Sequence, residues 1–130
     1  MFRIFLFIFL FIISNNSIAY VQGKTLICDD DRRGYNFIDK DKVEISIVNL
    51  DDFNIVSLIH LYELSENAIL IKKPEKEFNK AKIIGWIFRR NLDYVSLYYE
   101  RGDLSRKFLW SCEITSLKEL ETRLNNKLNK

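Results

Sequence analysis

A mainly β fold, an antiparallel meander forming a small barrel or sandwich with one C-terminal amphipathic helix, is what this sequence predicts. Three observations predict it. Short apolar stretches recur at roughly ten-residue spacing with turn residues between them. Several of them alternate with the two-residue period of a strand. Only near the C-terminus does the apolar period change to that of a helix.

The N-terminus sets the compartment expected for this fold. Met1-Phe2-Arg3 is a short positive segment, Ile4 to Ile13 is an unbroken apolar run, and Ser17 and Ala19 are small residues at the −3 and −1 positions of a signal peptidase site. Residues 1–19 therefore read as a cleaved signal peptide, and the protein as secreted or periplasmic. A spanning helix needs about 20 apolar residues. The run is about half that, so no transmembrane segment is expected in the mature chain. Cleavage would leave residues 20–130, enough for a single β-rich domain. The formal net charge of +2 falls to +1 once Arg3 is lost, which excludes a global attraction for nucleic acid. With 48% hydrophobic residues the chain has enough apolar surface to fold.

The elements follow in order. "TLIC" and "GYNFI" are short strands around the acidic turn "DDDRR", where Gly34 is expected to supply an unusual backbone angle and the mixed charge to be solvated. "KVEISIVN" alternates, with Val43, Ile45 and Ile47 on one face. "NIVSLIHLYEL" is apolar on both faces and rich in β-branched residues, which predicts a buried strand rather than a helix capped by Asp51 or Asp52. "SEN" turns into "AILIKK", and "PEKEFNK" is a polar loop. "KIIGWIF", "YVSLYYE" and "RKFLWSCEI" complete the sheet. Ser116 and Glu119 then form a capping box for a helix over 116–128. Leu117, Leu120, Leu124 and Leu128 make its apolar stripe, expected to pack on the barrel or plug one end, and Glu119 and Arg123 stand at i, i+4 pairing distance.

Cys28 opens three possibilities, which its surroundings narrow. Lipidation requires a small residue before the cysteine and an apolar run directly upstream; Ile27 and "YVQGKT" stand there instead. Asp29, Asp31 and Gly34 echo positions 1, 3 and 6 of a calcium loop, but Arg33 and Lys40 occupy positions that require oxygen ligands. A thiolate site lacks a nearby cysteine pair, and His60 is the single histidine. Neither a metal nor a cofactor is expected. Cys28 and Cys112, the two cysteines of an exported chain, are expected to form a disulfide. Leu26 and Cys28 share one face of the first strand; Phe108, Trp110, Cys112 and Ile114 share one face of the last. The bridge would then join the two sheet edges.

These segments ("LIC", "GYNF", "SENAILIK", "RRNLDYVSL" and "SCEI" between a signal peptide and a terminal helix) resemble a loose group of short, uncharacterised exported bacterial proteins with an early and a late cysteine. That group carries an "N-R-x-T-L-x-L" segment before the late cysteine, matched here by Asn91 and Leu97, with Val95 in place of the first leucine. The resemblance implies no catalytic residue. The architecture is also similar to small β-barrel inhibitors of lysozyme, although their "S-G-x-x-Y" segment is absent here.

Chemistry-bearing patterns are few. No Gly-x-Ser-x-Gly, phosphate loop or His-Glu-x-x-His occurs, and His60 in an apolar strand reads as a satisfied structural residue. No catalytic residue is expected. The expected function is non-enzymatic binding at the cell envelope or outside the cell. A lipocalin-like carrier of a small apolar ligand and a lysozyme-inhibitor-like protein are the alternatives, although a barrel this small is expected to be filled by its own side chains. The candidate binding patch is basic: Lys72, Lys73, Lys76, Lys80, Lys82, Arg89 and Arg90, suited to an anionic envelope component or protein. Tyr94, Tyr98 and Tyr99 with Trp86 and Trp110 offer an aromatic alternative.

Overall fold

The computed structural model describes residues 21–74 and 81–129. The expected signal peptide lies outside them, as does the polar loop beyond Pro74. Eight strands follow in chain order: β1 (Thr25–Cys28), β2 (Arg33–Phe37), β3 (Lys42–Asn49), β4 (Asn54–Leu64), β5 (Ala68–Pro74), β6 (Ala81–Phe88), β7 (Asp93–Glu100) and β8 (Asp103–Thr115). Each pairs antiparallel with the next, and β8 returns to β1. The meander is a closed barrel, and a single helix, α1 (Leu117–Leu128), follows it.

Alternation decides what fills the barrel. Val43 and Ile45 point inward with Leu26, Tyr35, Phe37, Tyr62, Ile69, Ile71, Ile87 and Tyr94, all buried. Cys28 and Cys112 face each other in the β1–β8 register and are disulfide-bonded, with Cα atoms 4.2 Å apart. The staple therefore sits on the seam that closes the barrel, as the pattern of the two strands predicts.

The two ends of the barrel differ. At one end Tyr62 donates its hydroxyl to the carbonyl of Asp39, and the Asp39 carboxylate accepts the backbone N–H groups of Asp41 and Lys42 at 3.0 and 2.9 Å. That end is closed by turns and aromatic rings, Phe37 meeting Tyr62 edge to face. The other end holds the tips of the β1–β2, β3–β4 and β7–β8 hairpins, with the end of β5 and the start of β6. There the ladders between hairpins stop early. Among the described residues β4 meets β5 only over Leu61–Leu64, and β6 meets β7 only over Gly85–Ile87. The hairpins β3–β4, β5–β6 and β7–β8 run on beyond this belt as separate two-stranded ribbons. This opening corrects one expectation. β4 is a strand, but not a buried one: Leu58 on its inner face is 50% exposed and Ile59 on its outer face 48%.

The helix packs along the outside of the barrel instead of plugging an end. Ser116 caps it, its hydroxyl accepting the N–H of Glu119 at 3.1 Å. Leu120 and Leu124 are buried on Ile27 and Val48, with Ile55 and Leu128 at the margin. Leu117, the first leucine of the stripe, is 46% exposed. Gly34 lies under this contact: a Cβ there would come within 2.6 Å of Leu120 Cδ1. The unusual backbone angles of the turn belong instead to Asp29, Asp30 and Asp31, with φ of 54°, 52° and 65°, a region aspartate tolerates better than most residues. Nor is the turn merely solvated. Asp31 takes Arg123 at 2.6 Å, Asp30 takes Lys127 at 2.8 Å, and Asp29 lies 3.8 Å from Arg33. Arg123 bridges Asp31 and Glu113 rather than Glu119 on its own helix, and the Asp31 hydrogen bond holds its guanidinium pKa above the usual value.

Candidate functional site

The ribbons of the open end enclose a cavity of about 440 Å³. Its floor is built from sequence alternation on β2 and β7. Tyr35 and Tyr94 point into the lumen with ring centroids 5.2 Å apart, and Tyr94 stacks on Trp110 at 5.5 Å. Gly85 makes room for this arrangement: a Cβ there would stand 2.7 Å from the Tyr94 hydroxyl oxygen. Burial pushes the hydroxyl pKa values of Tyr35 and Tyr94 upward, so both stay protonated.

The walls are mostly aliphatic, supplied by Ile45 and Ile47 of β3, Leu58 and Ile59 of β4, Ile84 of β6 and Leu97 of β7, with Tyr98 at 56% exposure on the rim. Three basic side chains also line it: Arg33, His60 and Lys73. Arg33 lies over the Trp110 ring, its guanidinium carbon 4.4 Å from the centroid. His60 is half-buried. Desolvation lowers its pKa, a backbone hydrogen bond at Leu58 opposes this, and the Lys73 charge lowers it further. Among the described residues no carboxylate lines the cavity.

Two lining atoms are buried without a hydrogen-bond partner among the described residues, the Tyr35 hydroxyl and His60 Nδ1. A buried polar atom left unpaired costs about 1–3 kcal/mol, and both of these face one space. His60 is thus only partly the satisfied structural histidine the apolar strand suggested: a backbone hydrogen bond forms at Leu58, while Nδ1 has no partner among the described residues. The lumen, likewise, is filled by its own side chains only toward the closed end.

No family model, curated protein or solved structure matches the chain.

The basic patch expected from sequence does not form one surface. Lys72 is paired with Glu63, and Lys82 places its ammonium 3.8 Å over the Tyr99 ring. Lys73 lies on the cavity wall. Lys76 and Lys80 fall outside the described residues. Arg89, whose guanidinium donates to the Ser65 carbonyl at 2.8 Å, and exposed Arg90 stand beyond the far end of β6, at the closed end of the barrel. The aromatic face divides similarly: Tyr94 is interior, Tyr98 lines the cavity and Tyr99 receives Lys82. Sequence reasoning missed Arg33. Its signal was the strand period, since Arg33, Tyr35 and Phe37 alternate along β2, but the neighbouring charges of the turn masked it. Lys73 was named as part of the basic patch; its place on the inner face follows from the same period, two residues beyond Ile71 and four beyond Ile69.

Proposed function

We propose that this chain is a small, exported, non-enzymatic binding protein that holds a ligand within the open end of its barrel. The observation that carries this reading is the cavity of about 440 Å³ in which two buried polar atoms, on Tyr35 and His60, lack partners. A largely preformed apolar space with a few convergent polar groups is what small-ligand sites share. The carrier alternative read from the two apolar faces of β4 thereby gains over the surface-patch reading, whose cations are dispersed or already engaged. Export is supported by the tripartite N-terminus and by the Cys28–Cys112 bridge, which suits an oxidising compartment. Among the described residues no helix is long and apolar enough to cross a membrane.

Titration of the purified, oxidised protein with 1-decanol in a calorimeter tests the reading. Saturable one-to-one binding is expected, weakened at least tenfold by Leu58→Trp, which fills the cavity from a half-exposed position. Unfolding melts of the variant should confirm that it is folded. Binding unchanged in a folded Leu58→Trp protein would place the ligand elsewhere and end this proposal.

A further inference from the structure

The cavity's charge pattern narrows its occupant, on the assumption that the binding reading above holds. We propose that the ligand is a monomeric amphipathic anion, whose apolar body lies against the aliphatic walls and whose acidic head meets Lys73 and Arg33 with the Tyr35 hydroxyl and His60 nearby.

Three observations support this. First, the lining contains Arg33, Lys73 and His60 and, among the described residues, no aspartate or glutamate. Asp29, outside the lining, lies 3.8 Å from Arg33, so Lys73 is the cation of the lining without a counter-charge among the described residues. Second, Lys73 makes no ion pair among the described residues, whereas its neighbour Lys72 is neutralised by Glu63. Lys73 reaches the wall because the inward face of β5 runs through Ile69 and Ile71 to Lys73. Lys73 is exposed at the cavity wall and has no counter-charge among the described residues, an arrangement an incoming anion completes. Third, the Tyr35 hydroxyl is fully buried, stays protonated and has no acceptor. An acidic oxygen supplies one. A cationic head group meets Lys73 with like charge, and a neutral one can accept from that hydroxyl but leaves Lys73 without a counter-charge.

Decanoate, 1-decanol and decyltrimethylammonium share an apolar body and differ in the head, so they test the inference directly by calorimetry on the full mature chain. Decanoate is expected to bind at least tenfold more tightly than decanol, and the ammonium compound more weakly than either. Affinity should rise about fourfold per methylene from octanoate to decanoate, the transfer value of a buried CH₂. Lys73→Gln should bring the decanoate-to-decanol ratio down about tenfold, Lys73→Arg should restore it, and Lys118→Gln, on the exposed side of α1, should leave it unchanged. Equal affinity for all three heads would overturn the anionic head group while leaving the cavity as a binding site. Binding of none would overturn both proposals. Capture by phosphatidylglycerol vesicles without decanoate binding would overturn the monomeric ligand in favour of a membrane surface.

Discussion

His60 and Gly34 show how single residues carry roles that their types alone do not announce. His60 sits on the inner face of β4 opposite Val43, surrounded by the cavity wall with Lys73 from β5, Arg33 and Tyr35 from β2 and Tyr98 from β7. Burial holds its folded pKa below the ordinary 6.5. As pH falls through 6.5 the unfolded chain takes up a proton that the folded protein resists. Stability is therefore fully present above pH 6.5 and declines below it, through the folded pKa. Urea midpoints measured from pH 7.5 to 5 should fall, and His60→Phe should flatten that part of the profile. Asp39 acts lower: the backbone N–H bonds from Asp41 depress its pKa below 3.8, so its contribution is lost only as pH falls below that value.

At the scale of elements, α1 is held to the barrel by shape first and charge second. Leu120 and Leu124 are buried where Gly34 leaves room, whereas the ion pairs of Arg123 and Lys127 are partly exposed and worth about 1 kcal/mol or less each. Leu124→Ala is expected to cost about 2–4 kcal/mol in denaturant unfolding, and removal of half-exposed Leu117 under about 1 kcal/mol. Gly34→Ala should cost about 1–2 kcal/mol by crowding Leu120. Added to Leu120→Ala it should cost less, since the crowding atoms are gone; strict additivity in that double-mutant cycle would show that the two residues do not touch. Every strand and the helix were legible from period and turn residues, because both signals are local. What faced what was not. The side of the barrel that α1 covers depends on Asp30 and Asp31 meeting Lys127 and Arg123 from ninety and more residues away. The cavity depends on where the ladders β4–β5 and β6–β7 stop, and no local pattern in β4 reports that. β4 is apolar on both faces, which a buried strand, a helix seat or a cavity wall would each satisfy.

For the whole molecule the decisive bond is the seam. β1 and β8 are joined by a short ladder, Thr25–Cys28 against Cys112–Thr115, with the disulfide within it. The bridge spans 84 residues of sequence, a loop whose closure is worth about 4 kcal/mol in the chain-entropy model. Reduction should lower the unfolding free energy by about 2–4 kcal/mol, visible as a lower denaturant midpoint, with a steeper slope because the uncrosslinked denatured chain exposes more surface. A reduced protein as stable as the oxidised one would mean that the ladder alone closes the barrel. Of the candidate site, Lys73 was named in advance, and the cavity was anticipated only as an alternative. Arg33 and the tyrosine floor emerged from the closure of the sheet, which brings β2 beside β7 across the lumen.

The same seam orders events in time. The first strand finds its outer neighbour only when the last strand of the sheet is present, so no segment that omits residues 112–115 can complete the barrel. A chain that emerges from synthesis N-terminus first must carry β1 with one edge unpaired until β8 has followed. Pairing over such a separation is intrinsically slow, and during that interval Cys28 is a thiol without its mate. Until then an open edge and a reactive sulfur are both available to other partners. The turn that follows β1 carries Asp29, Asp30 and Asp31 beside Arg32 and Arg33, and the helix, arriving last, supplies the partners of Asp30 and Asp31.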